Sequence, residues 1–164
     1  MLSNEQLIYI YERLNNNNNI YYHIFESFPK EVFEFSEKNR TQTFSLTSES
    51  LMIYIPELNC MSCLQRQLSQ LFNKVLDNQF ENNQYIITRT ENLNKITIFI
   101  DTFNIAKFRI LLIDPESDFL INEESTIMFT VSLSNRIENV MKINPEVLEY
   151  NIRYIKKWGE MSSY

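Results

Sequence analysis

A chain of 164 residues, 44% hydrophobic and 22% charged, suits one globular domain that buries roughly 68–70% of its unfolded surface without disulfide scaffolding. Its formal charge of −6 argues against nucleic-acid partners, which are held largely by clustered Lys and Arg, and no basic cluster is longer than Lys156-Lys157. The single glycine, Gly159, excludes the glycine-rich loops that cradle nucleotide phosphates. No apolar run approaches the roughly 18 residues of a membrane helix, so no membrane span and a soluble chain are expected, with no signal peptide in the residues present.

The richness in Asn, Ile, Tyr and Phe reads as an AT-rich coding bias that carries no function but raises strand propensity. Leu7, Ile10, Tyr11 and Leu14 recur at helical spacing behind Ser3, with Gln6 three residues on, predicting a short capped helix. The asparagine run at residues 15–19 favours turn conformations and predicts a loop. After an aromatic segment of mixed period, Val32, Phe33, Glu34 and Phe35 predict a strand. Residues 1–43 are therefore expected to form an N-terminal extension, and residues 44–164 the regular domain.

Leu51, Met52, Ile53, Tyr54 and Ile55 form a continuous apolar run stopped by Pro56, the pattern of a strand buried on both faces. Leu64, Leu68, Leu71, Phe72, Val75 and Leu76 then recur with a 3.6-residue period, predicting an amphipathic helix capped by Asn59 or Ser62. Residues 85–88 and 108–113 predict strands, the second ended by Asp114-Pro115. Between them Leu93, Ile96, Phe99, Ile100 and Phe103 have helical spacing in a β-loving composition, and the spacing predicts a helix. Residues 126–133 and 136–143 predict an antiparallel pair around a turn at Ser134-Asn135. Asn144, Pro145 and Glu146 open a last helix with Leu148, Ile152 and Ile155 on one face, ending in Lys156 and Lys157 before Gly159.

Both cysteines of the chain fall in Cys60-Met61-Ser62-Cys63, at the predicted junction of strand and helix. A helix N-terminus stabilises a thiolate, and two intervening residues let the sulfurs bond to each other. Three readings fit. A redox dithiol needs no further ligand. A structural zinc site wants four ligands, and this chain adds only His23, so a second chain would have to contribute. The cysteines could also be small buried hydrophobes or an inert bridge. At about 100° per residue Cys60 lies roughly 70° from the centre of the apolar stripe and Cys63 roughly 130°, which makes Cys63 the more exposed on an ideal helix.

The strand at residues 51–55, the stretch Pro56-Glu57-Leu58-Asn59-Cys60-Met61-Ser62-Cys63 and the helix of Leu64, Leu68 and Leu71 resemble the thioredoxin-like proteins of Bacteroidetes, whose opening strand runs into an N-C-x-x-C box. The resemblance covers roughly residues 44–158. It implies an α/β fold with a central mixed sheet flanked by helices, a cell-envelope or periplasmic location, and thiol–disulfide exchange with protein thiols or disulfides as partners and no cofactor or metal. Cys60 would be the attacking thiol and Cys63 the resolving one. The alternative function is a catalytically silent binding module of the same fold with a structural Cys60–Cys63 bridge. The family places a cis-proline before the strand facing the dithiol; here Ser125 and Thr126 stand there, so a trans peptide is expected, with a free N–H and the Thr126 hydroxyl toward the sulfurs.

Other candidates carry blander readings. Glu57, three residues before Cys60, could accept a proton, although a carboxylate there also raises a thiol pKa and a solvated loop acid explains it as well. His23 reads as a packing or surface residue, and Trp158 as helix-end packing. Glu116, Asp118, Glu123 and Glu124 lack the spacing of an EF-hand loop and read as solvated.

Overall fold

The computed structural model describes residues 1, 3–6, 27–36, 40–75, 83–103, 108–120 and 124–143. The helix predicted through Leu14 beyond residue 6, the asparagine-rich loop, His23, Leu76, Glu123, the C-terminal helix of residues 144–158, Trp158 and Gly159 lie outside them. At the N-terminus the capping box is present. The Gln6 N–H donates to Ser3 Oγ (3.2 Å) and the Ser3 N–H donates to Gln6 Oε1 (2.9 Å).

Seven strands form one mixed sheet. In chain order the elements are β1 (Val32–Ser36), β2 (Arg40–Thr43), β3 (Ser50–Tyr54), α1 (Met61–Val75), β4 (Gln84–Arg89), a 3₁₀ segment (Thr90–Lys95) running into α2 (Ile96–Phe103), β5 (Arg109–Ile113), β6 (Ile127–Val131) and β7 (Ile137–Lys142). The sheet order is β2-β1-β5-β4-β3-β6-β7. β3, β4 and β5 are parallel, while β1, β2, β6 and β7 join antiparallel. The strands of residues 32–43, in the stretch expected to form the N-terminal extension, thus join this same sheet, β2 at its edge and β1 between β2 and β5. β2 is an addition that its sequence, Arg-Thr-Gln-Thr, does not announce.

The expected central strand is β3. All five of its residues are buried, and it pairs with β4 on one edge and β6 on the other. Its period of two divides the core. Leu51 and Ile53 face the helical side with Leu64 and Leu68 of α1 and Ile96 and Phe99 of α2. Met52 and Tyr54 face the other side with Phe44, Leu120, Phe129 and Val131. The crossovers β3–α1–β4 and β4–α2–β5 step the same way across the sheet and, being right-handed, put both helices on one face. The connection from β5 to β6 must reverse that direction, and it carries Leu120 onto the opposite face, where Tyr54 Oη donates to the Leu120 carbonyl at 3.4 Å.

Chain direction changes where the residues demand it. Asp114 ends β5 by accepting the Ser117 N–H on its carbonyl (3.0 Å) and the Glu116 N–H on Oδ1 (2.8 Å). The β6–β7 turn holds Asn135 at φ 60°, a left-handed conformation that asparagine tolerates. The acids Glu116, Asp118 and Glu124 are exposed, as solvated loop residues are. Among the described residues no helix is long and apolar enough to cross a membrane.

At the N-terminal end of the parallel strands an ion pair fastens the β1–β2 hairpin to the core. Arg109 presents its guanidinium fork to the buried Glu34, with Nε and Nη2 each 2.5 Å from a carboxylate oxygen. Its Nη1 donates to Tyr85 Oη at 3.1 Å, and the same guanidinium lies 5.2 Å from the Tyr85 ring and 5.8 Å from that of Phe44. We expect Arg109→Met to lower the urea unfolding free energy by roughly 1–3 kcal/mol, because it strands a buried carboxylate. Arg109→Lys should recover only part, lacking the fork. Adding Glu34→Gln to Arg109→Met should restore stability toward wild type; a single mutant as stable as wild type would show that the pair contributes nothing.

Burial, and then the nearby Glu138 carboxylate, push the Glu49 carboxyl above its ordinary 4.5. The unfolded chain therefore releases this proton at lower pH than the folded one, and stability is lost as pH rises from about 4.5 through the folded-state value. Glu49→Gln should raise the urea midpoint at pH 7 and leave it unchanged near pH 3.5, where both states keep the proton. An equal gain at both pH values would contradict this.

Candidate dithiol site

The chain leaves β3 at Tyr54, passes Pro56, which has no N–H to extend a ladder, and re-enters regular structure at α1. Cys60 is the residue that caps this helix. Its carbonyl accepts the first intrahelical hydrogen bond, from the Leu64 N–H at 3.0 Å. The expected caps, Asn59 and Ser62, flank this position instead. Asn59 is drawn sideways by Glu57 and Lys95, and Ser62 already lies in the first turn, where its Oγ is 3.6 Å from Cys60 Sγ.

Cys60 and Cys63 form a disulfide, with S–S 2.05 Å and Cα–Cα 5.2 Å. Both residues are exposed, while Leu64 and Leu68 on the same helix are buried. Exposure excludes the reading of the pair as small buried hydrophobes, and it gives a partner sulfur access to either cysteine. Among the described residues no group of three or more His, Cys, Asp or Glu side chains gathers around a point where a metal ion could sit.

The loop from Ile55 to Asn59 is held from below by two polar side chains that no sequence pattern singled out. Thr88, fully buried at the end of β4, donates its hydroxyl to the Ile55 carbonyl at 2.6 Å. Asn92, 5% exposed in the 3₁₀ segment, donates from Nδ2 to the Pro56 carbonyl (3.0 Å) and to Thr88 Oγ1 (2.8 Å). Its Oδ1 accepts the Leu58 N–H at 3.3 Å. In a chain so rich in asparagine, nothing but burial distinguishes this one.

Beside the dithiol a cleft of about 260 Å³ opens between Pro56, Glu57, Asn59 and the far wall of Arg89, Glu91 and Lys95. Glu57 is exposed and accepts a 3.0 Å hydrogen bond from Asn59 Nδ2, while Lys95 donates to Asn59 Oδ1. Arg89 pairs with Glu91 at 3.7 Å and donates to the carbonyls of Phe119 (3.2 Å) and Ser117 (3.4 Å), bracing the loop that follows β5.

Thr126 and Ser125 stand at the start of β6, where Ile127 pairs with Tyr54, the last residue of β3. They therefore share the sheet end from which the chain runs to Cys60. Thr126 is half-buried, its carbonyl accepts the Ile143 N–H at 3.0 Å, and no peptide bond among the described residues is cis. Cys60, Cys63, Glu57 and Thr126 all lie at the C-terminal end of β3, where the strand order reverses from β4 on one side to β6 on the other. Open α/β sheets commonly bind their ligands at such a point.

The sequence matches no protein-family model and no curated protein. The structure does resemble solved ones. A thioredoxin-like protein from Porphyromonas gingivalis superposes with TM-score 0.52 at 15% identity, over 83% of this chain and 94% of that one. A PrxQ variant of Xylella fastidiosa gives 0.54 at 14%, over 82% and 96%. A peroxiredoxin-like protein from Aquifex aeolicus gives 0.51 at 11%, over 82% and 86%. With the strand-to-helix Cys-x-x-Cys junction and the mixed sheet already in place, these likenesses establish that the chain has a thioredoxin-like α/β fold.

Proposed function

We propose that this protein carries out thiol–disulfide exchange through Cys60 and Cys63, acting on protein thiols or disulfides in the cell envelope. The observation that carries the proposal is an exposed Cys60–Cys63 pair with Cys60 at the N-cap of α1. A thiolate there lies against the unpaired N–H groups and positive dipole end of a helix, which lowers its pKa and stabilises the reduced form. The envelope location rests on the sequence resemblance, and an oxidising compartment is one in which such a bond persists.

In the reducing direction the Cys60 thiolate attacks one sulfur of a substrate disulfide. A Cys60–substrate bond forms, the substrate S–S bond breaks, and the released substrate thiolate takes up a proton. The Cys63 thiolate then attacks Cys60 Sγ, closing the Cys60–Cys63 bond and releasing the second substrate thiol. Two electrons pass from the protein dithiol to the substrate disulfide, and the two thiol protons end on the two product thiols. The oxidising direction is the same sequence reversed. Thr126, at the same sheet end, is proposed to border the approach to the sulfurs, and Glu57 to line its rim.

Trapping distinguishes exchange from an inert bridge. Cys63→Ser, mixed with oxidised glutathione, should accumulate a one-to-one mixed disulfide on Cys60, because no second thiol resolves it. Cys60→Ser should form it far more slowly at neutral pH. Equal and slow modification of both variants would contradict the proposal and favour a structural bridge.

A further inference from the structure

A carboxamide with 5% exposure must find partners for both its N–H groups and its oxygen, or destabilise the fold by about 1–3 kcal/mol for each group left unmade. Asn92 finds them almost entirely in one place. Two of its three hydrogen bonds go to the backbone between β3 and Cys60, at the Pro56 carbonyl and the Leu58 N–H. The third reaches Thr88 Oγ1, whose own proton goes to the carbonyl of Ile55. Three polar groups of a loop that has neither ladder nor helix to satisfy it are thereby fixed from β4 and the 3₁₀ segment.

We propose that Asn92 is the positioning residue of the dithiol: with Thr88 it clamps the Ile55–Leu58 backbone so that Cys60 is delivered at the N-cap of α1. The proposal rests on the exchange reading above for its functional meaning, and it concerns the geometry that reading needs. The side chain fits the task because it offers two donors and an acceptor in one plane. Aspartate would keep the acceptor for the Leu58 N–H but lose the donors to Pro56 and Thr88, and alanine would lose all three. Lys95 ties the same loop from outside through Asn59, but that bond is exposed and belongs to side chains only. Without the buried clamp the loop can shift, and a shift of about 1 Å is enough to move Sγ away from the first-turn N–H groups.

The test measures, in the reduced protein, the alkylation rate of Cys60 against pH, with the modified cysteine identified by peptide mass and the thermal midpoint recorded alongside. In Asn92→Ala the Cys60 profile should move toward the free-thiol value of about 8.5, slowing alkylation at pH 7 by about fivefold. Thr88→Val, which removes the bond to Ile55 and one partner of Asn92, should fall between Ala and wild type, and Asn94→Ala, at an exposed position of the same 3₁₀ segment, should match wild type. A purely structural role would lower the midpoint and leave the alkylation profile on that of wild type, and this result would overturn the proposal. Should Asn92→Ala fail to fold, Thr88→Val decides the matter in the same way. If Cys63→Ser accumulates no mixed disulfide with glutathione yet the Asn92 variants still shift the profile, the exchange reading fails while the positioning role stands.

Discussion

Everything in this fold depends on β3 being buried on both faces and paired along both edges. Five consecutive residues, Ser50 to Tyr54, have almost no contact with solvent. A side chain of the size of Leu, Ile or Met contributes about 1.5–3 kcal/mol when it is buried there. The strand must then end abruptly, because no polar loop can remain in such surroundings without partners. Pro56 stops the ladder, and the chain turns into a helix whose first capping residue is a cysteine. The burial that makes the strand central also makes its end a rigid place from which to present a reactive group, and the reversal of sheet order at the same strand leaves room beside it.

The two ends of the parallel strands solve different problems. At their N-terminal end the Glu34–Arg109–Tyr85 cluster attaches an edge hairpin, and its polar atoms are spent on one another. Burial holds the Tyr85 phenol above its ordinary value of 10.0, against the opposing pull of Arg109, so it stays protonated across the physiological range. At the C-terminal end the polar groups of Thr88 and Asn92 are directed at a loop and through it at the dithiol. One cluster secures the scaffold; the other aligns what the scaffold carries.

Most of the scaffold could be read from periodicity, because its strands are buried and its α1 helix is amphipathic. β3, β4, β5, β6 and β7 each lie within a residue or two of the expected bounds. The segment Ile96–Phe103 is a helix despite its β-branched residues, since spacing places Ile96 and Phe99 on the one face that packs. What escaped notice had no apolar signal. Arg40–Thr43 is polar along its length and is a strand only because β1 offers it an edge. The capping role of Cys60 was hidden because Asn59 and Ser62 are better caps by composition, and the Lys95–Asn59–Glu57 chain that draws Asn59 away is a tertiary contact. Asn92 was invisible for a similar reason: its importance lies in burial and in partners more than thirty residues away.

A thioredoxin-like scaffold can carry either a working dithiol or an inert bridge, and the two differ in the free energy of the disulfide relative to the thiols. A cysteine at a helix N-cap shifts that balance toward the reduced form, which is the physical content of the exchange reading. The most direct measurement is therefore the reduction potential of Cys60–Cys63, obtained by equilibrating the purified protein in thiol–disulfide buffers of stepped composition. A potential between about −120 and −270 mV is the expected result, the range of pairs that exchange with protein substrates. A value below about −300 mV, where structural disulfides lie, would contradict it.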